Sequence, residues 1–162
     1  MFEWSDEHRM IREAVQRFVD EEVRPHVDEL EHGDLPPYDI LRKMFATFGM
    51  DAMARDRFAK QIAREQAALD ATARCEEPPA RTESGDDGGG LSLIPIIELC
   101  RVCPGMVTAM GVSMGLTSAA IMSKGTIRQK QRWALDLLTM DKVGAWAITE
   151  PGSGSDAFDG AS

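Results

Sequence analysis

No charged residue occurs between Val102 and Ser123. A stretch of that length must be a membrane span or a helix lodged in a protein core. Met, Ala, Gly, Ser and Thr dominate it, and Gly111 and Gly115 form a small-residue pair of the kind that lets helices approach closely. Its many hydroxyls and its glycines lower its hydrophobicity. The expectation is therefore a fully buried central helix from Pro104 to Ser123 and no integral membrane span.

The rest of the chain reads as helices around that one. Ile11, Ala14, Val15, Phe18, Val19 and Val23 recur at spacings of three and four, which is the period of one helix face. Ser5 is placed to cap this helix, with Asp6 and Glu7 at its positive end, and Pro25 should kink or split it. After Pro36-Pro37 a second helix is expected from Tyr38 to about Phe48, with Ile40, Leu41, Met44 and Phe45 inward. Arg55 to Arg74 suits a helix but carries few large apolar side chains beyond Phe58, Ile62 and Leu69, so it reads as exposed or partner-facing. The Gly-, Pro- and acid-rich residues 76–90 read as a mobile linker. Leu91 to Cys103 supplies an apolar helix. Gly125 then stops the central helix, and Thr126-Ile127-Arg128-Gln129 has the form of a capping box for the next one.

Composition narrows the partners. Eighteen Lys and Arg against 27 Asp and Glu give a net charge of −9 over 162 residues, so nucleic acid is not expected. The N-terminus has neither a basic flank nor an apolar core, and a cytoplasmic protein is expected. Three cysteines make no disulfide framework. Cys100 and Cys103 have the spacing of a redox or metal pair, but a zinc site needs two further ligands. No metal site is assigned, and buried structural thiols are expected.

The pattern changes near the end. Val143 to Thr149 alternates as a strand does. It then breaks into Glu150-Pro151-Gly152-Ser153-Gly154-Ser155-Asp156, a loop of small residues whose backbone N–H groups and hydroxyls suit a phosphate or a flat heterocycle. On pattern alone, Trp146 and Ile148 read first as strand core, Thr149 as an ordinary strand residue, Gly152 and Gly154 as turn residues, and Met106, Met110 and Met114 as a core stripe.

Ala147, Ile148, Thr149, Glu150, Ser153, Gly154, Ser155 and Asp156 together resemble the signature of the acyl-CoA dehydrogenases. Gly111-Val112-Ser113 and Gly125-Thr126 with Gln129-Lys130 and Trp133 look like further stretches of that family. The small residue the family places three positions after Asp156 is here Asp159. The resemblance covers the first 50 residues weakly and Leu91 to Asp156 well. Residues Arg55 to Gly90 fit it poorly.

The resemblance implies a mainly α fold: a helical N-terminal domain over residues 1–140, then the first strand and cofactor loop of an incomplete middle β-domain over residues 141–162. It implies FAD-dependent α,β-dehydrogenation of an acyl-CoA thioester, with electrons passed to an electron-transfer acceptor protein. Trp146, Ile148, Thr149, Gly154 and Ser155 would hold the cofactor. Ser155, Met110 and Met114 would meet the substrate. The family's catalytic carboxylate belongs to a later domain that this chain is expected to lack, so no catalytic residue is assigned. A homo-oligomer or a partner dehydrogenase subunit is implied. The alternative is a non-catalytic remnant or interaction subunit that pairs with a complete dehydrogenase.

Overall fold

The computed structural model describes residues 4–75 and 90–155. Among them the chain is helical up to residue 138 apart from short turns, and no sheet is present. Helix α1 (Asp6–Phe18) opens at Ser5, whose side chain accepts a hydrogen bond from the His8 N–H, with Asp6 and Glu7 in the first turn. Pro25 splits the helical stretch beyond α1. A π-helical turn (Val19–Val23) and a tighter turn (Arg24–His26) lead into the short α2 (Val27–His32). Proline has no N–H to give, and these irregular turns carry the chain past the missing bond.

Helices α3 (Tyr38–Thr47) and α4 (Met50–Ala73) meet at Gly49. Its φ of 64° is a left-handed conformation that glycine adopts without a Cβ penalty. Leu41, Met44 and Phe45 of α3 are buried and Ile40 is half-buried, so the expected inner face is present. Helix α4 starts five residues before the expected Arg55. It buries Phe58, Ile62 and Ala71 and leaves Leu69 58% exposed, which agrees with the thin burial read from its sequence.

Helices α5 (Leu93–Cys100) and α6 (Pro104–Gly111) come next, and α6 continues through a π-helical stretch (Val112–Thr117) into α7 (Ser118–Lys124). The rod ends at Gly125, which turns to an extended conformation, and a Cβ there would lie 2.5 Å from the Ile121 carbonyl oxygen, so the position suits glycine. Thr126 and Gln129 then cap each other reciprocally, as expected. The last helix runs as α8 (Ile127–Gln129), a π-helical stretch (Lys130–Ala134) and α9 (Leu135–Leu138).

Two apolar clusters hold these elements together. The larger joins Val15, Phe18, Val19 and Val23 to Leu41, Met44 and Phe45, to Ile94 and Leu99, and to Met106, Met110 and Met140. The smaller joins Phe58 and Ile62 of α4 to Ala134. Met140 closes the last helix with φ 60°, a conformation that costs a non-glycine residue about 1–2 kcal/mol. Its side chain is wholly buried, which contributes roughly 1.5–3 kcal/mol, and Arg42 Nε donates to its carbonyl at 2.8 Å. Burial therefore outweighs the backbone cost.

Three expectations change. The rod Pro104–Lys124 is long and apolar enough to cross a membrane by composition, a test that core helices also pass, but only 22% of its most apolar window is buried. It is not a fully buried helix. It packs on α3 and α5 along one side and on the last helix along another, and the side bearing Gly115, Leu116 and Ala119 has no neighbour to cover it among the described residues. Val143 to Thr149 forms no strand, since a strand needs a partner for its N–H and C=O groups and no described segment offers one. Cys103 is buried as expected, its thiol 3.1 Å from Glu31 Oε1, but Cys100 is exposed. The linker reading at residues 76–90 falls almost wholly outside the described residues.

Candidate functional site

The run from residue 143 to 155 meets the central rod at Gly144. Gly144 N–H donates to Ser113 Oγ at 3.0 Å. A Cβ on Gly144 would sit 2.8 Å from Thr117 Cγ2 and 2.9 Å from Thr117 Cβ, closer than real Cβ atoms come. A glycine is required because the segment crosses the helix at contact distance. From there the chain runs outward: Trp146 is 44% and Ile148 39% exposed, and Thr149 is exposed.

The loop is closed by a tight turn. Glu150 N–H donates to the Ser153 carbonyl at 2.9 Å and Ser153 N–H to the Glu150 carbonyl at 3.1 Å, with Pro151 at the first corner, where its fixed φ suits the turn. Ser153 is buried while Gly154 and Ser155 are exposed. A Cβ added at Gly152 or Gly154 would meet no heavy atom within 4 Å. The loop thus offers open space on its outer side. Met110 lies in the main core at 8% exposure, and Met114, half-buried, packs against that core from its edge.

Charged pairs fix the helices beneath. Glu98, at 2% exposure, accepts from Arg12 Nε at 2.6 Å and Arg101 Nη1 at 2.7 Å. Burial would raise its pKa, but the hydrogen bonds from Arg12, Arg101 and Gln16 prevail and hold it below the ordinary value. Lys130, buried within the last helix, reaches Glu65 of α4 at 2.6 Å. Burial there works against ionisation too, and the bonds from Lys130 and Gln61 again hold Glu65 low. Hydrogen bonds from Thr139 and Arg55 lower Asp141. The Arg12–Glu98, Glu65–Lys130 and Arg55–Asp141 pairs each tie together segments far apart in sequence.

The N-terminal portion matches a known family model. Residues 5–54, which cover α1 to α3 and the start of α4, fit the model described as "Acyl-CoA dehydrogenase, N-terminal domain". The similarity continues beyond it. A short-chain specific acyl-CoA dehydrogenase of Clostridium acetobutylicum is 25% identical over 158 residues, 96% of this chain and 35% of that protein. The mouse mitochondrial short-chain specific acyl-CoA dehydrogenase is 28% identical over 155 residues, 96% of this chain and 32% of its own length. These comparisons make the chain similar to the acyl-CoA dehydrogenase family, by family model over residues 5–54 and by relatives along most of its length. A short-chain specific member from Megasphaera elsdenii reaches 33% identity over 76 residues, 46% of this chain and 20% of its own. No solved structure matches. The chain spans about a third of the length of the Clostridium and mouse acyl-CoA dehydrogenases, and its helical architecture agrees with the family's N-terminal domain.

Against this family background, the structure brings Trp146, Ile148, Thr149, Gly154 and Ser155 onto one short exposed segment. Met110 and Met114 lie on the rod that the segment crosses at Ser113 and Thr117. Ser113, Thr117 and Gly144 are not among the site residues that the sequence pattern points to. Gly144 does carry a signal, because an isolated glycine inside a strand-like pattern marks a close backbone approach.

Proposed function

We propose that this chain supplies the helical N-terminal portion and the first part of the flavin site of an FAD-dependent acyl-CoA dehydrogenase, the reaction being α,β-dehydrogenation of an acyl-CoA thioester. The observation that carries the reading is the run Ala147 to Ser155, which resembles the family signature and stands exposed apart from Ser153, on a segment without strand pairing among the described residues. Among the described residues no ladder engages the backbone from Trp146 to Thr149, and a Cβ added at Gly152 or Gly154 would meet no heavy atom within 4 Å. Those features fit a flat ring with a pyrophosphate tail.

In this reading Trp146 covers one face of the isoalloxazine, and the backbone of Ile148 and Thr149 complements its pyrimidine edge. The Thr149 hydroxyl is directed to the N5 region, and Gly154 and Ser155 meet the pyrophosphate or neighbouring substrate groups. Met110 and Met114 belong to the rod beside which the acyl chain would run, where flexible thioethers suit an apolar tail. Bound there, FAD would accept the hydride that leaves the β-carbon. None of the described residues is assigned removal of the α-proton. The reduced cofactor would be reoxidised by an electron-transfer acceptor protein, and the assembly would be an oligomer.

Exposed Leu116, Trp133, Val143, Trp146 and Ile148 favour a second reading, an interaction subunit that pairs with a longer dehydrogenase. Titration of the chain with FAD, followed by quenching of tryptophan fluorescence, separates the two. The flavin reading predicts saturable quenching that Thr149→Ala weakens by about five- to tenfold, the effect of one lost hydrogen bond. Quenching that never saturates, together with stable complex formation with a full-length family member, would favour the subunit reading instead.

A further inference from the structure

A strand in a sheet is held by a ladder of hydrogen bonds, but among the described residues Val143 to Thr149 has none. Among the described residues, the one hydrogen bond from this segment to the helical body is Gly144 N–H to Ser113 Oγ. Ser113 is fully buried, so its hydroxyl is screened from water that would compete for the bond. Thr117 closes the other side of the crossing, with its Cγ2 and Cβ occupying the space a side chain at position 144 would need. Its own Oγ1 is buried with no hydrogen-bond partner, so Thr117 acts here by shape.

The winding of the helix brings the two together. Val112–Thr117 is π-helical, and Ser118 N–H reaches back five residues to the Ser113 carbonyl. With i→i+5 winding, residues four apart lie nearly one above the other on the same face. Residues i and i+4 share a face in an ordinary α-helix as well, so Ser113 and Thr117 flank a single notch whichever winding the helix takes. Gly144 stands two residues before Trp146, a distance of at most about 7 Å along the chain, so a shift at the crossing is carried straight into the cofactor segment.

We propose that Ser113 and Thr117 form a notch on the central rod that positions the flavin-binding segment, with Ser113 holding the Gly144 amide and Thr117 setting how closely the backbone approaches. The role rests on the flavin reading of this segment. Both are positioning residues and neither touches the cofactor. The placement of Trp146 and Thr149 is then set by the helical rod that carries Met110 and Met114, and not by β-pairing within the segment.

The test uses the full chain carrying Trp4→Phe and Trp133→Phe, which leaves Trp146 as the single indole. Ser113→Ala and Gly144→Ala are introduced separately. Four quantities are read: helix content, amide exchange at Gly144, iodide quenching of Trp146, and FAD affinity. With Ser113→Ala, helix content is expected to be retained, Gly144 to exchange at least about tenfold faster, Trp146 quenching to change, and FAD to bind about five- to tenfold more weakly, the effect of one lost hydrogen bond. Gly144→Ala should do the same by steric displacement while leaving every helix residue intact, so it carries the test if Ser113→Ala does not fold. Unchanged exchange and quenching in a folded variant would overturn the notch. Unchanged FAD affinity in both variants, with a parent that binds FAD, would overturn the positioning role. A parent that binds no FAD, but whose exchange and quenching respond to the variants, would uphold the notch and count against the flavin reading alone.

Discussion

Phe45→Ala lowers the free energy of unfolding by about 3–5 kcal/mol, the cost of deleting a buried aromatic and leaving the cavity partly unfilled. Phe45 is 1% exposed and belongs to the cluster that joins α1, α3, α5 and α6. No single element can move to fill the space without releasing another. A whole domain is stabilised by only about 5–15 kcal/mol, so this variant should sit close to its unfolding transition at room temperature. Phe48, half-buried and packed edge-on against Phe18 at 5.8 Å, is the internal comparison. Phe48→Ala should cost less than half as much. Urea unfolding followed by circular dichroism measures both, and equal losses would show that the core is not organised around α3.

Glu98→Ala should be the next most damaging change, at about 2–3 kcal/mol. Its carboxylate is buried and joins Arg12 of α1 to Arg101 just beyond α5. Removing one member of a buried ion pair typically costs about 3–5 kcal/mol because a charge is stranded. Here the side chains left behind are 38% and 57% exposed, so water can rehydrate them and the loss is smaller. Glu98→Gln keeps the shape and one acceptor and should lose about half as much. The same carboxylate gives the chain a pH dependence. Glu98 and Glu65 are both held below the ordinary glutamate value of 4.5 in the folded chain. Each therefore contributes stability that is fully present above that value and is lost as pH falls from it through the lower folded values. Acid unfolding should begin below about pH 4.5 and be shallower in Glu98→Gln. An identical acid profile in the variant would show that Glu98 is not among the groups that drive it.

Much of the helical frame is legible in the sequence because its signals are local. Ser5 with Asp6 and Glu7, Pro25, and the Thr126–Gln129 box each act within one turn, and the structure uses each as expected. The start of α4 is not legible, because Gly49 separates the helices by a left-handed turn of one residue and leaves no loop to mark the boundary. The Pro104–Lys124 rod is less buried than its composition suggests, because an apolar composition records which residues can be buried and not how many neighbours arrive to bury them. Val143 to Thr149 fails as a strand for the related reason that alternation describes one partner of a pair.

The candidate site divides along the same line. The loop from Thr149 to Ser155 declares itself through its glycines and hydroxyls, which act locally. Its anchor does not, since Ser113 lies 31 residues from Gly144. The four-residue spacing of Ser113 and Thr117 does place them on one helix face, but that Gly144 is the residue crossing there emerges only once the backbone is laid out.

In the proposed function, residues Trp146 to Ser155 form part of a flavin site. Equilibrium dialysis of the full chain against FAD tests it most directly, with the Thr149→Ala variant dialysed in parallel. One flavin should be retained per chain with a dissociation constant on the order of 10⁻⁴ M, about −5.5 kcal/mol, and the variant should retain clearly less. No retained flavin, or retention that the variant leaves unchanged, would contradict it.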